Sequence, residues 1–299
     1  MNQPHFSTTP IEHEGFGSVR LERDAQQHLA SLVVSSGRLG NPMTAAMVRS
    51  LSRTLADLSV DDDIKVIVIR GEGGNLTCGA DPAEAEQVFK DAPGGAAKRV
   101  PSQRARLAVM DDLWWGPDGL YTRVLRCPKV TLLAAQGLCL DVGLYLALCC
   151  DLVLADETAV FGSPRWRHVG VDGDLSMLVA AVGLKRAKDL LIFSPRWTAE
   201  QALDAGLIDE VMPAEALEAR VAHLAAFCTQ VMRDAIAAEK RVVFASLAKL
   251  QIGTGFATAA AVGAWASNLH FQPGEFNFLR EARDQGLEAA IDAARRHAE

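Results

Sequence analysis

Residues 136–151 read QGLCLDVGLYLALCCD, a glycine-bearing turn that runs into an apolar helix and then a strand. Residues 71–81 read GEGGNLTCGAD, a second turn that follows a strand. Two turns of this kind can direct two backbone N–H groups at one point, and the N-terminus of a helix can reinforce one of them. This arrangement stabilises negative charge on a carbonyl oxygen. The pair of turns therefore predicts an oxyanion-binding site.

Length and composition narrow the class of protein. The chain has 299 residues, of which 49% are hydrophobic, so it can build one large core with a small helical appendage. Its net charge is −7 without a basic run, so neither nucleic acid nor a membrane is an expected partner. No stretch resembles a membrane span or a signal peptide. The six cysteines lack C-x-x-C spacing, which predicts buried thiols in the cytoplasm and no metal site.

The first part of the chain has a βαβ-like pattern. Residues 29–34 and the β-branched residues 64–69 predict two strands. Between them, Thr44 is placed to cap a helix with an apolar stripe formed by Met47, Leu51, Leu55 and Leu58. Strands connected through a helix predict a parallel sheet covered by helices. Residues 130–135 and 151–155 predict further strands, and Thr198 with Gln201 predicts a capping box.

The distribution of polar and apolar residues divides the chain into three regions. Residues 1–17 are polar and predicted to be irregular, residues 18–213 form the α/β core, and residues 214–299 are helical in pattern. The helical region is expected to serve as a lid or as an oligomer face. Within the core, the Pro- and Gly-interrupted residues 82–117 predict a mobile, partly helical excursion that contacts the substrate.

Five motifs between residues 20 and 220 resemble the crotonase (enoyl-CoA hydratase/isomerase) superfamily, in order and at the expected spacing. They are NPMT at 41–44, GAD at 79–81, the glycine turn at 137–143, FGSP at 161–164 and AEQALDAGLIDEV at 199–211. The resemblance implies an α/β spiral of ββα repeats with a C-terminal helical region that serves in trimerisation. It also implies a homotrimer or dimer of trimers, an acyl thioester of coenzyme A as substrate, and no covalently bound cofactor.

By position, the resemblance assigns the oxyanion hole to the N–H groups of Ala80 and Val142. Gly79, Asp81 and Gly143 would then contact the substrate, and the helix that opens at Gly143 would direct its dipole at the same oxygen.

One departure affects this hole. The three glycines of the superfamily read DVG at residues 141–143. Valine tolerates positive φ poorly, so the turn must hold Val142 at negative φ, or the hole is distorted.

A second departure affects the mechanism. Hydratases of the superfamily use two glutamates, and the corresponding residues here are Tyr145 and Arg165, or Trp166 if one residue is inserted. Neither tyrosine nor arginine acts as a carboxylate base at neutral pH. Hydration by two glutamates is therefore not expected.

Other residues can replace the lost carboxylates. Asp174 aligns with an acidic residue of dienoyl-CoA isomerases and of 4-chlorobenzoyl-CoA dehalogenase, and it is the first candidate for acid, base or nucleophile. Its alternative role is to cap the helix that follows. His168 lies close by in sequence and is either catalytic or structural. Tyr145 either donates a hydrogen bond to the substrate or packs in the core.

Three tryptophans are candidates for the lining of the acyl pocket. Trp114 and Trp115 resemble an aromatic pair of the dehalogenase, and Trp166 matches its tryptophan near the acidic residue. All three are expected either to shape an acyl or aromatic pocket or to pack in the core.

Taken together, the sequence predicts an enzyme that stabilises the enolate of an acyl-CoA and transfers a proton with one aspartate. An isomerase or an atypical hydratase, which is a lyase, fits this description. The alternatives are a hydrolase, either dehalogenase-like or cleaving the C–C bond of a β-diketone, and a non-catalytic acyl-CoA binder.

Overall fold

The computed structural model describes residues 7–11, 17–24, 26–84, 87–91, 102–166, 175–249 and 274–297. Their strands are β1 (Ser7–Ile11), β2 (Ser18–Asp24), β3 (Leu29–Ser35), β4 (Val66–Gly71), β5 (Val130–Ala135), β6 (Leu138–Leu140), β7 (Leu152–Asp156), β8 (Val160–Gly162), β9 (Trp197–Thr198) and β10 (Glu210–Met212). Their α-helices are α1 (Ala45–Val60), α2 (Gln87–Asp91), α3 (Gln103–Met110), α4 (Leu120–Leu125), α5 (Val142–Cys149), α6 (Ser176–Phe193), α7 (Ala199–Ala205), α8 (Ala214–Thr229), α9 (Arg233–Lys249), α10 (Phe278–Gln285) and α11 (Leu287–Arg296). A 3₁₀ turn at Pro82–Glu84 and a π-helical turn at Asp111–Trp115 complete the described elements.

Two sheets organise these elements. The main sheet has seven strands in the order β1-β2-β3-β4-β5-β7-β10. The pairs β1/β2 and β2/β3 are antiparallel, and the pairs from β3 onward are parallel. A second sheet has three strands in the order β6-β8-β9, with β6 and β8 parallel. The unit β3–α1–β4 confirms the predicted βαβ start.

The parallel strands are buried on both faces. In β4, Ile67 and Ile69 join the main core, whereas Val66 and Val68 pack on the opposite face against α8. Two-sided burial explains why this strand reads as a continuous β-branched run without polar alternation.

Helix α1 forms as its pattern predicts. The Thr44 side chain accepts a hydrogen bond from the Met47 N–H at 3.2 Å, and the predicted apolar stripe is at most 1% exposed. The capping box at the start of α7, formed by Thr198 and Gln201, is also present. Both helices thus begin where an oxygen-bearing side chain satisfies an N–H group of the first turn.

The structure differs in two places from the three regions that the sequence predicts. Residues 7–11 lie in the segment predicted to be irregular, but they form β1. Pairing with the edge of β2 uses backbone hydrogen bonds and needs no hydrophobic pattern in the sequence of β1. Helix α8, placed in the C-terminal region, packs its buried Leu217, Val221 and Ala225 on the main sheet. The core therefore extends past residue 213. Residues 250–273, part of the region predicted to be helical, lie outside the described residues.

The side chain of Asn41 connects the end of β3 to the first glycine-bearing turn. Its side-chain N–H₂ donates to the carbonyls of Val34 and Leu76, each at 2.9 Å, and its Oδ1 accepts from the Ser36 N–H at 2.7 Å. The residue has φ 56°, a left-handed conformation that asparagine tolerates better than most residues. It is 4% exposed, so its three partners depend on it rather than on water.

We therefore expect Asn41→Ala to lower the free energy of unfolding by about 3 kcal/mol. The variant leaves buried carbonyl and N–H groups unpaired and places alanine at a left-handed φ. Denaturant unfolding measures the loss. Leu39→Ala is the matched control, since Leu39 is 98% exposed in the same turn and its change should have little effect. Similar losses in both variants would contradict this account of Asn41.

Candidate active site

The two glycine-bearing turns are joined by backbone hydrogen bonds. Thr77 and Cys139 form a parallel bridge, in which the Thr77 N–H donates to the Leu138 carbonyl at 2.8 Å and the Leu140 N–H donates to the Thr77 carbonyl at 3.0 Å. Ala80 and Val142 each lie three residues beyond this bridge. The bridge thus fixes the register of the two turns, so that Ala80 and Val142 lie at corresponding positions.

The first amide belongs to Ala80. The Met43 N–H donates to the Gly79 carbonyl at 2.9 Å, and the Asp81 N–H donates to the Met43 carbonyl at 2.8 Å. Since N–H groups alternate in direction along an extended chain, the Ala80 N–H faces away from Met43. None of the hydrogen bonds between described residues uses this N–H.

The second amide belongs to Val142, the first residue of α5. An N–H in the first turn of a helix has no acceptor within the helix. In the described part of the chain, no hydrogen bond uses the Val142 N–H either. The positive end of the helix dipole lies at the Val142 N–H, so this amide can serve an oxygen that gains negative charge.

The turn avoids positive φ at Val142, which is the first of the two outcomes that the sequence allows, and Asp141 takes the positive φ instead. Val142 has helical geometry, whereas Asp141 has φ 48° and ψ −99°. This region suits glycine and costs another residue about 1–3 kcal/mol. It is held from both sides, since the Asp141 N–H donates to the Gly162 carbonyl at 2.9 Å and the Tyr145 N–H donates to the Asp141 carbonyl at 3.0 Å.

The Asp141 carboxylate lies between the two turns. Its Oδ1 accepts a short hydrogen bond from the Ser163 hydroxyl, which is buried. A Cβ added at Gly79 would lie 2.7 Å from its Oδ2, so the carboxylate occupies space that only glycine leaves open. Burial, together with the charge of Asp141, raises the pKa of the Cys78 thiol. From the sequence, Asp141 is predicted only to replace a glycine of the turn, although its acidic side chain could have indicated a residue of the site.

A small pocket opens beside this turn. It is lined by Asp141 and Val142 together with Met110, Trp114, Trp115, Tyr121, Tyr145 and Arg165. Tyr145 and Arg165, which the resemblance aligns with the hydratase glutamates, therefore both line it, whereas the alternative Trp166 does not.

The aromatic residues of the pocket pack on one another. Trp114 stacks on Tyr121 with ring centres 5.3 Å apart, and Trp115 meets Tyr145 edge-on at 4.9 Å. Trp166 lies 6.4 Å from Tyr145 in a similar edge-on arrangement, and its buried indole N–H has no hydrogen-bond partner among the described residues. We name these five rings the aromatic cluster. Trp114 and Trp115 both pack in the core and line the pocket, so their two expected roles coincide, whereas Trp166 packs against Tyr145 without lining the pocket. Tyr121 is a member of the cluster that the sequence did not indicate.

The other predicted site residues divide into two groups. Gly79 and Gly143 lie at the junction of the turns, where a Cβ on Gly143 would meet Leu76 and Thr77 side chains at 3.4 Å. The Asp81 carboxylate instead pairs with Arg38 and accepts from the Ala83 N–H at 3.0 Å. Asp81 is therefore engaged in holding its own loop.

The predicted Asp174 and His168 lie outside the described residues. The helix that follows them, α6, begins at Ser176, and its cap position is occupied by Leu175.

The sequence of this chain is similar to those of known proteins of one family. A family model described as enoyl-CoA hydratase/isomerase matches residues 25–284. A putative enoyl-CoA hydratase of Thermus thermophilus is 32% identical over 246 residues, covering 80% of this chain and 88% of that protein. A 4-chlorobenzoyl coenzyme A dehalogenase of an Arthrobacter species is 26% identical, covering 72% of this chain and 70% of that protein.

Solved structures share the architecture. The crystal structure of an enoyl-CoA hydratase from Mycobacterium smegmatis superposes with a TM-score of 0.78 at 22% identity, covering 95% of each chain. This likeness confirms the predicted crotonase-like α/β fold. The described residues contain no helix that is both long and apolar enough to cross a membrane.

The close approach of the two turns gives a stability test. We expect Gly79→Ala to lower the free energy of unfolding by about 1–3 kcal/mol more than Gly286→Ala, because its Cβ collides with Asp141. Both glycines have positive φ, 113° and 91°, but a Cβ at Gly286 meets nothing within 4 Å. Denaturant unfolding of the two variants measures the difference. Equal losses would show that the turns do not approach as described.

Proposed function

Because the chain belongs to the enoyl-CoA hydratase/isomerase family, we propose that it binds an acyl thioester of coenzyme A and stabilises the thioester enolate. The N–H groups of Ala80 and Val142 act as the oxyanion hole. One observation carries the proposal: two amides that no described residue engages lie on turns joined by the Thr77–Cys139 bridge, and the residue of one of them, Val142, lines the pocket. Such preorganised donors stabilise charge without the reorganisation that water requires.

The reaction follows from the groups available for proton transfer. Tyr145 and Arg165 occupy the positions of the hydratase glutamates, so water is not activated by a pair of glutamates here. Asp174 transfers the proton, with His168 beside it in sequence. The enzyme is accordingly an isomerase, which moves a proton between two carbons, or an atypical hydratase.

The tryptophans favour an aromatic or bulky acyl group. Such a group needs the aromatic cluster to open, because the pocket is small and Trp115, Tyr121 and Tyr145 are at most 5% exposed. Coenzyme A enters only as part of the substrate, and the protein works in the cytoplasm as a homotrimer or dimer of trimers.

A hydrolase is the second candidate. The similarity to the Arthrobacter dehalogenase favours it, since that relative is named for the removal of a halogen from an aromatic acyl-CoA. In this reaction Asp174 would attack the ring carbon, the carbon–halogen bond would break with loss of halide, and water would hydrolyse the aryl ester. The corresponding β-diketone reaction would use Asp174 to activate water.

Solvent exchange separates these candidates. We expect the enzyme in D₂O to exchange the α-protons of at least one thioester in a panel of aliphatic and aromatic acyl-CoAs, without net hydrolysis. Transfer of ¹⁸O from labelled water into Asp174 would instead support the dehalogenase-like route. Tight binding without exchange or hydrolysis for every thioester would indicate a non-catalytic binder and overturn the proposal.

Asp174→Asn tests the proton-transfer group. We expect product formation to fall by about 10²-fold, the usual contribution of a general acid or base. Steady-state turnover of the thioester identified in the panel is the measurement. Asp118→Asn is the control, because Asp118 is 81% exposed and pairs only with Arg123 among the described charges. Wild-type turnover in Asp174→Asn would exclude the role.

A further inference from the structure

The hydroxyl group of Thr77 lies inside the turn that carries the first amide. Thr77 is fully buried, and its Oγ1 donates its hydrogen to the carbonyl of Asn41 at 2.8 Å. The same oxygen accepts a hydrogen bond from the Gly79 N–H at 3.0 Å. The Gly79 carbonyl lies 3.2 Å away as a second acceptor, but a hydroxyl group has one hydrogen and the Asn41 carbonyl is nearer. Thr77 thus links Asn41 to the backbone of Gly79.

Gly79 is the residue of this turn with the greatest conformational freedom. It has φ 113°, a region that other residues avoid, and glycine reaches many further conformations at little steric cost. Its two ends are held separately. Thr77 accepts from the N–H, and the Met43 N–H donates to the carbonyl at 2.9 Å. The two hydrogen bonds together hold the backbone of Gly79 in one conformation.

The conformation of Gly79 sets the direction of the Ala80 N–H. The carbonyl of Gly79 and the N–H of Ala80 belong to one planar trans peptide group, so they point in opposite directions. A rotation at Gly79 would turn both groups together. Because the bond from Thr77 opposes this rotation, the direction of the proposed oxyanion donor depends on the Thr77 hydroxyl group.

Thr77 also contacts the segment that carries the second amide. Its backbone forms the parallel bridge with Cys139, and its methyl group would lie 3.4 Å from a Cβ on Gly143. Gly143 directly follows Val142 in the first turn of α5. The hydroxyl group therefore holds the first turn, while the methyl group and the backbone lie against the second.

We propose that Thr77 is a positioning residue of the oxyanion hole, whose hydroxyl group fixes the direction of the Ala80 N–H relative to that of Val142. This assignment rests on the proposed function. The hydroxyl hydrogen is used by Asn41 and the side chain is fully buried, so Thr77 acts through Gly79 and not on the substrate. Donors that are held in place by a supporting residue stabilise charge without rearrangement during the reaction.

Three substitutions separate the hydroxyl group from the rest of the side chain. Thr77→Val keeps the shape and removes the hydroxyl group, whereas Thr77→Ser keeps the hydroxyl group and removes the methyl group. Thr77→Ala removes both and differs from Thr77→Ser by one oxygen atom, so this pair keeps the test open if Thr77→Val folds poorly.

The rate of α-proton exchange in D₂O is the first measurement, with the thioester of the acyl-CoA panel that the wild type exchanges fastest. We expect Thr77→Val and Thr77→Ala to slow exchange by about 10- to 10²-fold, somewhat less than the loss of an oxyanion donor itself. Thr77→Ser is expected to stay within about threefold of the wild type, because serine keeps the oxygen that accepts from Gly79.

Thr131→Val is the matched control for the loss of a buried hydroxyl group. Thr131 is likewise fully buried, and its hydroxyl group donates to the Asp151 carboxylate at 2.9 Å and accepts from the Asp151 N–H at 3.1 Å. It lies in β5 and does not line the pocket. We expect the melting temperature to fall in Thr131→Val as in Thr77→Val, but with exchange at the wild-type rate.

An infrared measurement adds a readout that a purely structural role would not move. Hydrogen bonds to a carbonyl oxygen weaken the C=O bond and lower its stretching frequency. Acetyl-CoA labelled with ¹³C at the carbonyl is the probe, at concentrations that saturate each protein. We expect the frequency to fall on binding to the wild type, Thr77→Ser and Thr131→Val, and Thr77→Val to lose about half of this decrease, since one of two donors is misdirected.

The outcomes are distinct. If Thr77→Val lowers the carbonyl frequency as the wild type does and exchanges within about threefold of its rate, the assignment of Thr77 is overturned and the proposed function stands. Equal losses in Thr77→Ser and Thr77→Ala would also overturn the assignment, because only the first variant retains the hydroxyl group. If the wild type binds acetyl-CoA without any fall in frequency, the proposed oxyanion hole fails, and the role of Thr77 fails with it. Losses in Thr77→Val and Thr77→Ala that Thr77→Ser and Thr131→Val do not share support Thr77 as the positioning residue.

Discussion

The parallel bridge between Thr77 and Cys139 is the contact on which the site depends. These residues belong to different parts of the chain, and without the bridge each turn would direct its amide independently. The bridge is supported from outside, because Asn41 binds the carbonyl of Leu76 and Thr77 donates its hydroxyl hydrogen to the carbonyl of Asn41 at 2.8 Å. Buried hydrogen bonds of this kind are costly to break, since their partners have no access to water. The position of the two amides is thus fixed before any ligand binds.

The same support explains how strain persists at Asp141. A residue at φ 48° and ψ −99° would relax if it were held at one end only. Here Gly162 accepts from its N–H, Tyr145 donates to its carbonyl, and Ser163 holds its side chain. Through these contacts the turn joins β8 to α5, so that strain at one residue is balanced by interactions from two other segments.

Much of this molecule could be predicted from its sequence. The stripe of α1, its Thr44 cap and the two-faced strand β4 follow from local pattern, and the ordered motifs identified the family. The packing of α8 on the sheet and the ring contacts of Tyr121 could not be predicted, because they depend on residues distant in sequence. Which residue of the DVG turn takes a positive φ could not be predicted for a related reason. Propensity identifies valine as the misfit at positive φ, but only the hydrogen bonds on either side decide which residue of the turn takes that conformation.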